Sequence, residues 1–239
     1  MSTQEPYRKA AGTDRGMSHY DLMARLGMRE RSLKGRVIEL AQVGAGQRLL
    51  DLGCGTGTLV LMARRRLADA TVIGVDGDPT ILCIARRKAQ RAGILVEFDE
   101  GMAYALPYGD GTFDAVVSTL TFHHLTMDQQ ERTLAEVRRV LRPGGRLVIA
   151  DLAPPHNALM RLLRRLPFQL HRRHGRAPGS QQHLHAPSDD RPHQGTQLED
   201  LLTTNGWQRI APIDHFMSIM GTIAVRVLTP PGQASAPRL

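Results

Sequence analysis

The sequence predicts a doubly wound α/β fold, a mostly parallel sheet covered by helices on both faces. Three observations carry this. Short apolar runs of strand length alternate with segments whose apolar residues recur at helical spacing. The run Leu49-Leu50-Asp51-Leu52 empties into a turn with glycine at every second position, Gly53, Gly55 and Gly57, and a helical pattern follows. Carboxylates and histidines sit just after predicted strands, where open α/β sheets bind ligands.

Taken in order, the first 16 residues are polar. Residues Met17–Leu40 suit two short helices, with Tyr20, Leu22, Met23 and Leu26, then Leu33, Val37, Ile38 and Leu40, as apolar positions. Gly44 and Gly46 mark a turn into a first strand, Arg48–Leu52. A helix over Thr58–Leu67 carries Leu59, Met62, Ala63 and Leu67 on one face, and Thr71–Val75 is a second strand. Asp78-Pro79 opens the next helix, with a carboxylate to cap it and proline at its first position. Gly93 suits that helix's C-terminal left-handed residue. Strands are expected over Ile94–Phe98, Phe113–Ser118 and Arg146–Ala150. Between the last two, Asp128-Gln-Gln-Glu131 reads as an acidic capping box for a helix through Val140, closed by Arg142-Pro-Gly-Gly145. After Asp151 prolines interrupt a stretch rich in histidine and arginine. Thr196-Gln-Leu-Glu199 reads as another capping box, and the helix it opens runs to Asn205-Gly206. Two β segments, Trp207–Asp214 and Ser218–Leu228, bring the count to seven strands.

Composition narrows the function classes. A chain of 239 residues with 41% hydrophobic content is long enough for a layered core. No run reaches the roughly 18 apolar residues that span a bilayer. Met1–Lys9 lacks the apolar core of a signal peptide, so the expected compartment is the cytoplasm. Cys54 and Cys83 make no disulfide framework and are read as reduced thiols. The net charge of +8 is almost all arginine, which reduces its weight as a sign of an anionic partner. The cluster Arg161, Arg164, Arg165, Arg172, Arg173 and Arg176 is more informative. Residues 159–176 mix leucine with arginine at near-helical spacing, which suits a peripheral contact with an anionic membrane, an acidic substrate, a lid or a plain capping helix. His171, His174, His183, His185 and His193 match no standard zinc spacing, and no metal is expected.

The glycine spacing is G-x-G-x-G, which differs from the G-x-G-x-x-G of dinucleotide binders by the place of its third glycine. Four features, in order over roughly Arg48–Ala150, carry a resemblance. They are Leu49–Gly57; Asp76 at the end of the second strand; Leu106-Pro107-Tyr108 followed by Phe113-Asp114-Ala115-Val116-Val117; and Val140-Leu141-Arg142-Pro143-Gly144-Gly145. Together they resemble the class I S-adenosylmethionine-dependent methyltransferases, most closely the subgroup of ubiquinone and menaquinone biosynthesis methyltransferases and natural-product relatives. Tyr20-Asp21 resembles the "YD" of that subgroup's N-terminal helix.

The resemblance implies a Rossmann-like sheet whose last strand is antiparallel. It implies S-adenosyl-L-methionine as cofactor and S-adenosyl-L-homocysteine as product. The cofactor-binding residues it implies are Asp51, Gly53, Cys54, Gly55, Thr56, Gly57, Asp76, Gly77, Met102, Ala103 and Ser118, with Asp76 on the ribose hydroxyls. Backbone amides of the glycine turn would face the methionyl end. The sequence departs from the family at Met102-Ala103, where the common pattern is an acid before alanine, meeting the adenine amino group. Methionine can stack on adenine but cannot accept that hydrogen bond, and Asp99 or Glu100 are alternatives.

The implied reaction is in-line displacement, in which the protein aligns donor and acceptor and excludes water. His123 and His124 follow the fourth strand at the mouth of the sheet. Either could take a proton from a hydroxyl, with His124 slightly preferred, or both could pack and cap the next turn. Tyr20 could close over the methyl group or pack. Asp151 could orient a substrate or cap the next loop. The expected acceptor is a small molecule such as a quinol, phenol or natural product, in a monomer or homodimer. An RNA methyltransferase is the alternative suggested by charge. It is disfavoured because no Asn/Asp-Pro-Pro-Tyr follows the fourth strand and no Pro-Cys nucleophile is present. A non-catalytic regulatory protein is a third reading. The expected organisation is a helical cap over 1–35, the cofactor-binding core over 36–155, an insertion or substrate lid over 156–195, and a C-terminal helix and β-hairpin over 196–239.

Overall fold

The computed structural model describes residues 30–154, 194–218 and 221–232. Five helices, α1 (Glu30–Ala41), α2 (Thr58–Arg66), α3 (Pro79–Arg91), α4 (Met127–Val140) and α5 (Gln194–Thr204), pack on one mixed sheet. Its strands are β1 (Arg48–Leu52), β2 (Thr71–Asp76), β3 (Glu97–Glu100), β4 (Phe113–Thr119), β5 (Leu141–Ala153), β6 (Gln208–Arg209), β7 (Asp214–Ser218) and β8 (Gly221–Thr229). The order across the sheet is β3-β2-β1-β4-β5-β8-β6, with β7 also on β8. The first five strands are parallel, and β8 runs antiparallel to β5.

The expected seven strand positions reconcile with eight strands at the far edge. Gln208 and Arg209 pair with Thr229 and Leu228, and Asp214–Ser218 pair with Val225–Gly221. Both therefore lie along the same side of β8, as one edge strand interrupted between them. Pro212 lies in the gap and has no N–H to donate to a ladder.

Alternation of side chains puts a core on each face. Leu49, Val72, Val117, Val148 and Val225 pack with Val37 of α1, Val60 of α2 and Leu82 of α3. Leu50, Leu52, Ile73, Val116 and Ile149 pack with Leu134 and Val137 of α4 and Leu198 and Leu202 of α5. Asp51, between Leu50 and Leu52, thus belongs to the α1 side of the sheet.

Several element ends differ from expectation. The third strand starts at Glu97, not Ile94, because the end of α3 holds the chain longer. Gly93 takes φ 64°, the Ile94 amide donates back to the Ala89 carbonyl, and Leu95 is 92% exposed. Helix α4 opens on Thr126 and Gln129, which form a reciprocal capping box, rather than on Asp128 and Glu131. Helix α5 begins at Gln194, so Thr196 lies within it, two positions past its start. Strand β5 is longer than Arg146–Ala150. Leu141 pairs with Phe113 and Arg146 with Ala115, so Arg142–Gly145 bulge out of the ladder between them. The expected caps at Asp78 and Pro79 are present: the Asp78 carboxylate accepts from the Thr80 amide at 2.8 Å.

Candidate cofactor and active site

The glycine turn needs glycine at three successive alternate positions for three different reasons. Gly53, Gly55 and Gly57 all adopt positive φ, 70°, 53° and 73°. A Cβ on Gly53 would collide with the Thr121 hydroxyl. A Cβ on Gly57 would lie 2.7 Å from the Phe98 ring and 3.1 Å from Ala85. A Cβ on Gly55 would meet nothing within 4 Å, so the turn is open to a ligand there.

Most of the turn's amides are engaged inside the protein. Gly53 and Cys54 both donate to the Val75 carbonyl, at 2.9 and 3.0 Å, and Gly57 donates to the Cys54 carbonyl at 3.0 Å. Gly55 donates to Asp76 Oδ2 at 2.9 Å. The expectation that the turn's amides face the methionyl end therefore does not extend to these four. The Cys54 thiol turns inward, since a Cβ on Gly74 would sit 2.9 Å from its Sγ. Burial, with Asp51 and Asp76 nearby, pushes that thiol well above its ordinary range. Thr56 and Thr58 hydroxyls accept from Lys88 Nζ at 3.4 and 2.6 Å.

Asp76 closes β2 beside the turn. Its Oδ2 accepts from Gly55 and its Oδ1 from the Asp78 amide at 3.0 Å, leaving a lone-pair site on each oxygen. Burial raises its pKa, and the backbone amides of Asp78, Gly55 and Gly77 oppose the rise.

Asp51 is only 2% exposed. Among the described residues no group donates a hydrogen bond to its carboxylate. Burial pushes its pKa up to about 7; the Lys34 ammonium pulls it down and Asp76 adds to the rise. Lys34 itself donates to Glu30 Oε1 at 2.6 Å, one turn earlier on α1. This Glu30–Lys34 pair beside Asp51 left no motif in the sequence.

The loop after β3 carries the family departure. Gly101 donates to the Asp76 carbonyl at 3.1 Å, and Met102 and Ala105 form an isolated bridge. Ala103 packs at the edge of the α4-side core. Of the two alternative acids, Asp99 has its Oδ2 engaged, accepting from the Tyr108 hydroxyl at 2.9 Å. Glu100 is exposed at the end of β3.

Ser118 is buried, and its hydroxyl donates to the Leu52 carbonyl at 3.1 Å, tying β4 to β1. Beyond it, Leu120 adopts φ 57°, a left-handed conformation unusual for leucine. That kink brings Thr121 onto Gly53 and starts a short 3₁₀ turn, Phe122–His124. Asp151, 2% exposed on β5, organises the turn. Its Oδ2 accepts from the Phe122 amide at 2.8 Å, and its Oδ1 lies 2.7 Å from His123 Nδ1. So Asp151 both caps the loop and orients His123. In the tautomer whose Nδ1–H donates to that carboxylate, Nε2 presents a lone pair. The His124 ring lies against that of His123, with centroids 4.0 Å apart and planes tilted by 41°. Burial and the neighbouring His123 lower its pKa, which favours its neutral form. The structure singles out His123, not the preferred His124, as the carboxylate-held ring. Tyr20, residues 159–176 and the histidines at 171–193 lie outside the described residues.

An open turn at Gly55 and a buried carboxylate with no donor, Asp51, fit a ligand bearing a cationic end and a ribose-like diol near Asp76. A model of the methyltransferase domain matches residues 49–145. The chain is 44% identical to the demethylmenaquinone methyltransferase of Thermus thermophilus over 152 residues, covering 63% of this chain and 68% of the relative. It is 36% identical to the demethylmenaquinone methyltransferase of Deinococcus radiodurans, over 63% of this chain and 62% of that protein. The crystal structure of an S-adenosylmethionine-dependent methyltransferase from Aquifex aeolicus shares the fold. Its TM-score is 0.62 at 18% identity, over 89% of this chain and 97% of that one. The chain belongs to the class I S-adenosylmethionine-dependent methyltransferases. Within them it falls in the subgroup of the ubiquinone and menaquinone methyltransferases, enzymes that use S-adenosylmethionine to methylate small molecules. Among the described residues no helix is long and apolar enough to cross a membrane.

Proposed function

We propose that this enzyme methylates a hydroquinone or phenol ring, with His123 as the group that takes the acceptor's proton. The observation that carries the reading is the 2.7 Å contact from His123 Nδ1, in the turn after β4, to buried Asp151 of β5. Two relatives named as demethylmenaquinone methyltransferases support the acceptor class. The cofactor supplies an electrophilic methyl group on a sulfonium. The chain's residues would bind and orient it, Asp51 pairing with the methionyl ammonium and Asp76 accepting from the ribose hydroxyls on its two open lone-pair sites. Met102 and Ala103 would line the base. Gly53, Gly55 and Gly57 shape the turn beneath, with Cys54, Thr56, Gly77 and Ser118 holding it. Both cysteines are free, which supports a reducing, cytoplasmic setting.

On a hydroxylated ring, removal of the O–H proton raises electron density at oxygen and at the ortho and para carbons. His123 Nε2 is the acceptor for that proton, and Asp151 stabilises the imidazolium that forms. The test is methyl transfer from S-adenosylmethionine to a demethylmenaquinol analogue, simple phenols, amines and RNA in parallel. The expected result is transfer to the hydroquinone or phenol, with kcat lowered about 10²–10⁴-fold in His123→Ala. Transfer to RNA or amines alone, or full activity in His123→Ala, overturns it.

A further inference from the structure

Helix α4 carries a pair of side chains that the glycine turn and the histidines do not explain. Glu136 and Arg139, one turn apart on α4, form a bidentate pair: Arg139 Nε to Glu136 Oε1 and Nη2 to Oε2, each 2.8 Å. Both members then reach the loop after β3. Glu136 Oε2 accepts from the Leu106 amide at 2.7 Å, and Arg139 Nη2 donates to the Leu106 carbonyl at 3.2 Å. Arg139 Nη1 donates to the Tyr108 carbonyl at 2.7 Å and to Asp110 at 2.9 Å. Two side chains thus hold both polar groups of one residue, as a neighbouring strand would. An ordinary surface ion pair has no such consequence for backbone.

At its other end the same loop is tied to the site. Gly101 donates to the Asp76 carbonyl at 3.1 Å, and a Cβ on Gly101 would lie 2.8 Å from Pro107. The two limbs of Gly101–Tyr108 therefore touch each other, with one anchored on the ribose carboxylate's own backbone and the other on α4. The sheet order β3-β2-β1 says what the loop faces. A nucleoside that starts at Asp76 on β2 and runs away from the β4–β5 end meets the loop after β3 next. At the family's acid position this chain has Met102, and Asp99 Oδ2 is taken by the Tyr108 hydroxyl. Main-chain groups of the loop then carry a larger share of recognition, and their position depends on how the loop is held.

We propose that Glu136 and Arg139 are positioning residues that brace Gly101–Tyr108 as the wall for the cofactor's purine end. The inference rests on the cofactor placement given under the proposed function. Removing either arm loosens the wall without touching the acceptor side. Glu136→Gln keeps an acceptor for the Leu106 amide but loses the ion pair; Arg139→Lys keeps the charge but not the fork. Calorimetry with S-adenosylhomocysteine, steady-state kinetics and amide hydrogen exchange of 102–108 are measured on wild type and both variants. The expected result is about tenfold weaker S-adenosylhomocysteine binding and a matching rise in the KM for S-adenosylmethionine. The acceptor's KM is unchanged, and exchange at Leu106 is faster. Unchanged affinity in folded variants, or a loss expressed in kcat and the acceptor's KM, overturns the brace. No binding by wild type overturns the cofactor placement itself, and the brace with it.

Discussion

Asp51 is a buried carboxylate whose protonation would report on a cationic ligand placed beside it. Burial pushes its carboxyl up to about 7, outweighing the pull of the Lys34 ammonium. The unfolded chain releases that proton near pH 4. Between the two values the native state binds more protons than the unfolded state, so stability falls as pH rises from about 4 to about 7 and levels off above. A cofactor ammonium beside Asp51 favours the carboxylate. Binding at about pH 6 is therefore expected to release protons, seen by calorimetry as a dependence on buffer ionisation enthalpy. Asp51→Asn should abolish that dependence and weaken binding about 10–100-fold. The relevant neighbours are Lys34, Glu30, Asp76 and Cys54, of which only Asp76 and Cys54 were visible in the motif. A buffer-independent enthalpy would rule out the ammonium assignment. Histidine choice is the other lesson at this scale. "His-His" after a strand does not say which ring a carboxylate holds, and the slight preference for His124 gives way to Asp151, 28 residues later, whose Oδ1 lies against His123.

The turn between β1 and α2 separates stability from binding within five residues. Gly57→Ala forces a Cβ against Phe98 and Ala85 at positive φ, and is expected to cost about 2–4 kcal/mol of stability. Gly55→Ala carries only the backbone strain, about 1–2 kcal/mol, because its Cβ meets nothing. Its Cβ occupies the open face, so its main effect should be on S-adenosylmethionine affinity. Thermal denaturation and calorimetry on the two variants check the contrast; equal effects on both measurements would contradict it. The alternating glycines were legible as a ligand turn because positive φ is a local demand. Leu120 was not, since leucine carries no such signature and its left-handed kink is imposed by contacts across β4 and β5. The third strand was misplaced for a related reason. Ile94-Leu95-Val96 is apolar enough for a strand, but the helix end at Gly93 takes Ile94 first.

Across the whole molecule, β8 joins the C-terminal segment to the cofactor-binding half. It lies antiparallel between β5 and the interrupted edge strand. Arg226 on β8, opposite Ile149, is 2% exposed and pairs with Glu199 of α5, while its Nη1 donates to the Ala224 carbonyl at 3.2 Å. Glu199→Ala leaves a buried guanidinium short of a counter-charge and should cost about 2–3 kcal/mol in denaturant unfolding. The value lies below that of a fully buried pair because the Glu199 side chain is 39% exposed. Arg226→Met, which removes the charge and keeps the volume, should cost less than Glu199→Ala. The reverse ranking would show that packing, not charge, holds α5 to the sheet.

What the sequence determined by itself was local: which segments are strands and helices, which strand ends in a glycine turn, and that Asp76 ends the strand beside it. Period, capping and positive φ depend on near neighbours along the chain, so a single sequence displays them. The tertiary structure alone decided the pairings between strand ends. It gave Asp151 to His123, Asp99 to Tyr108 and the Glu136–Arg139 pair to Leu106, and it left Asp51 with no donor among the described residues. Those choices depend on which loops a parallel sheet brings side by side, and parallel strands are joined by long crossovers that carry no local record of the meeting.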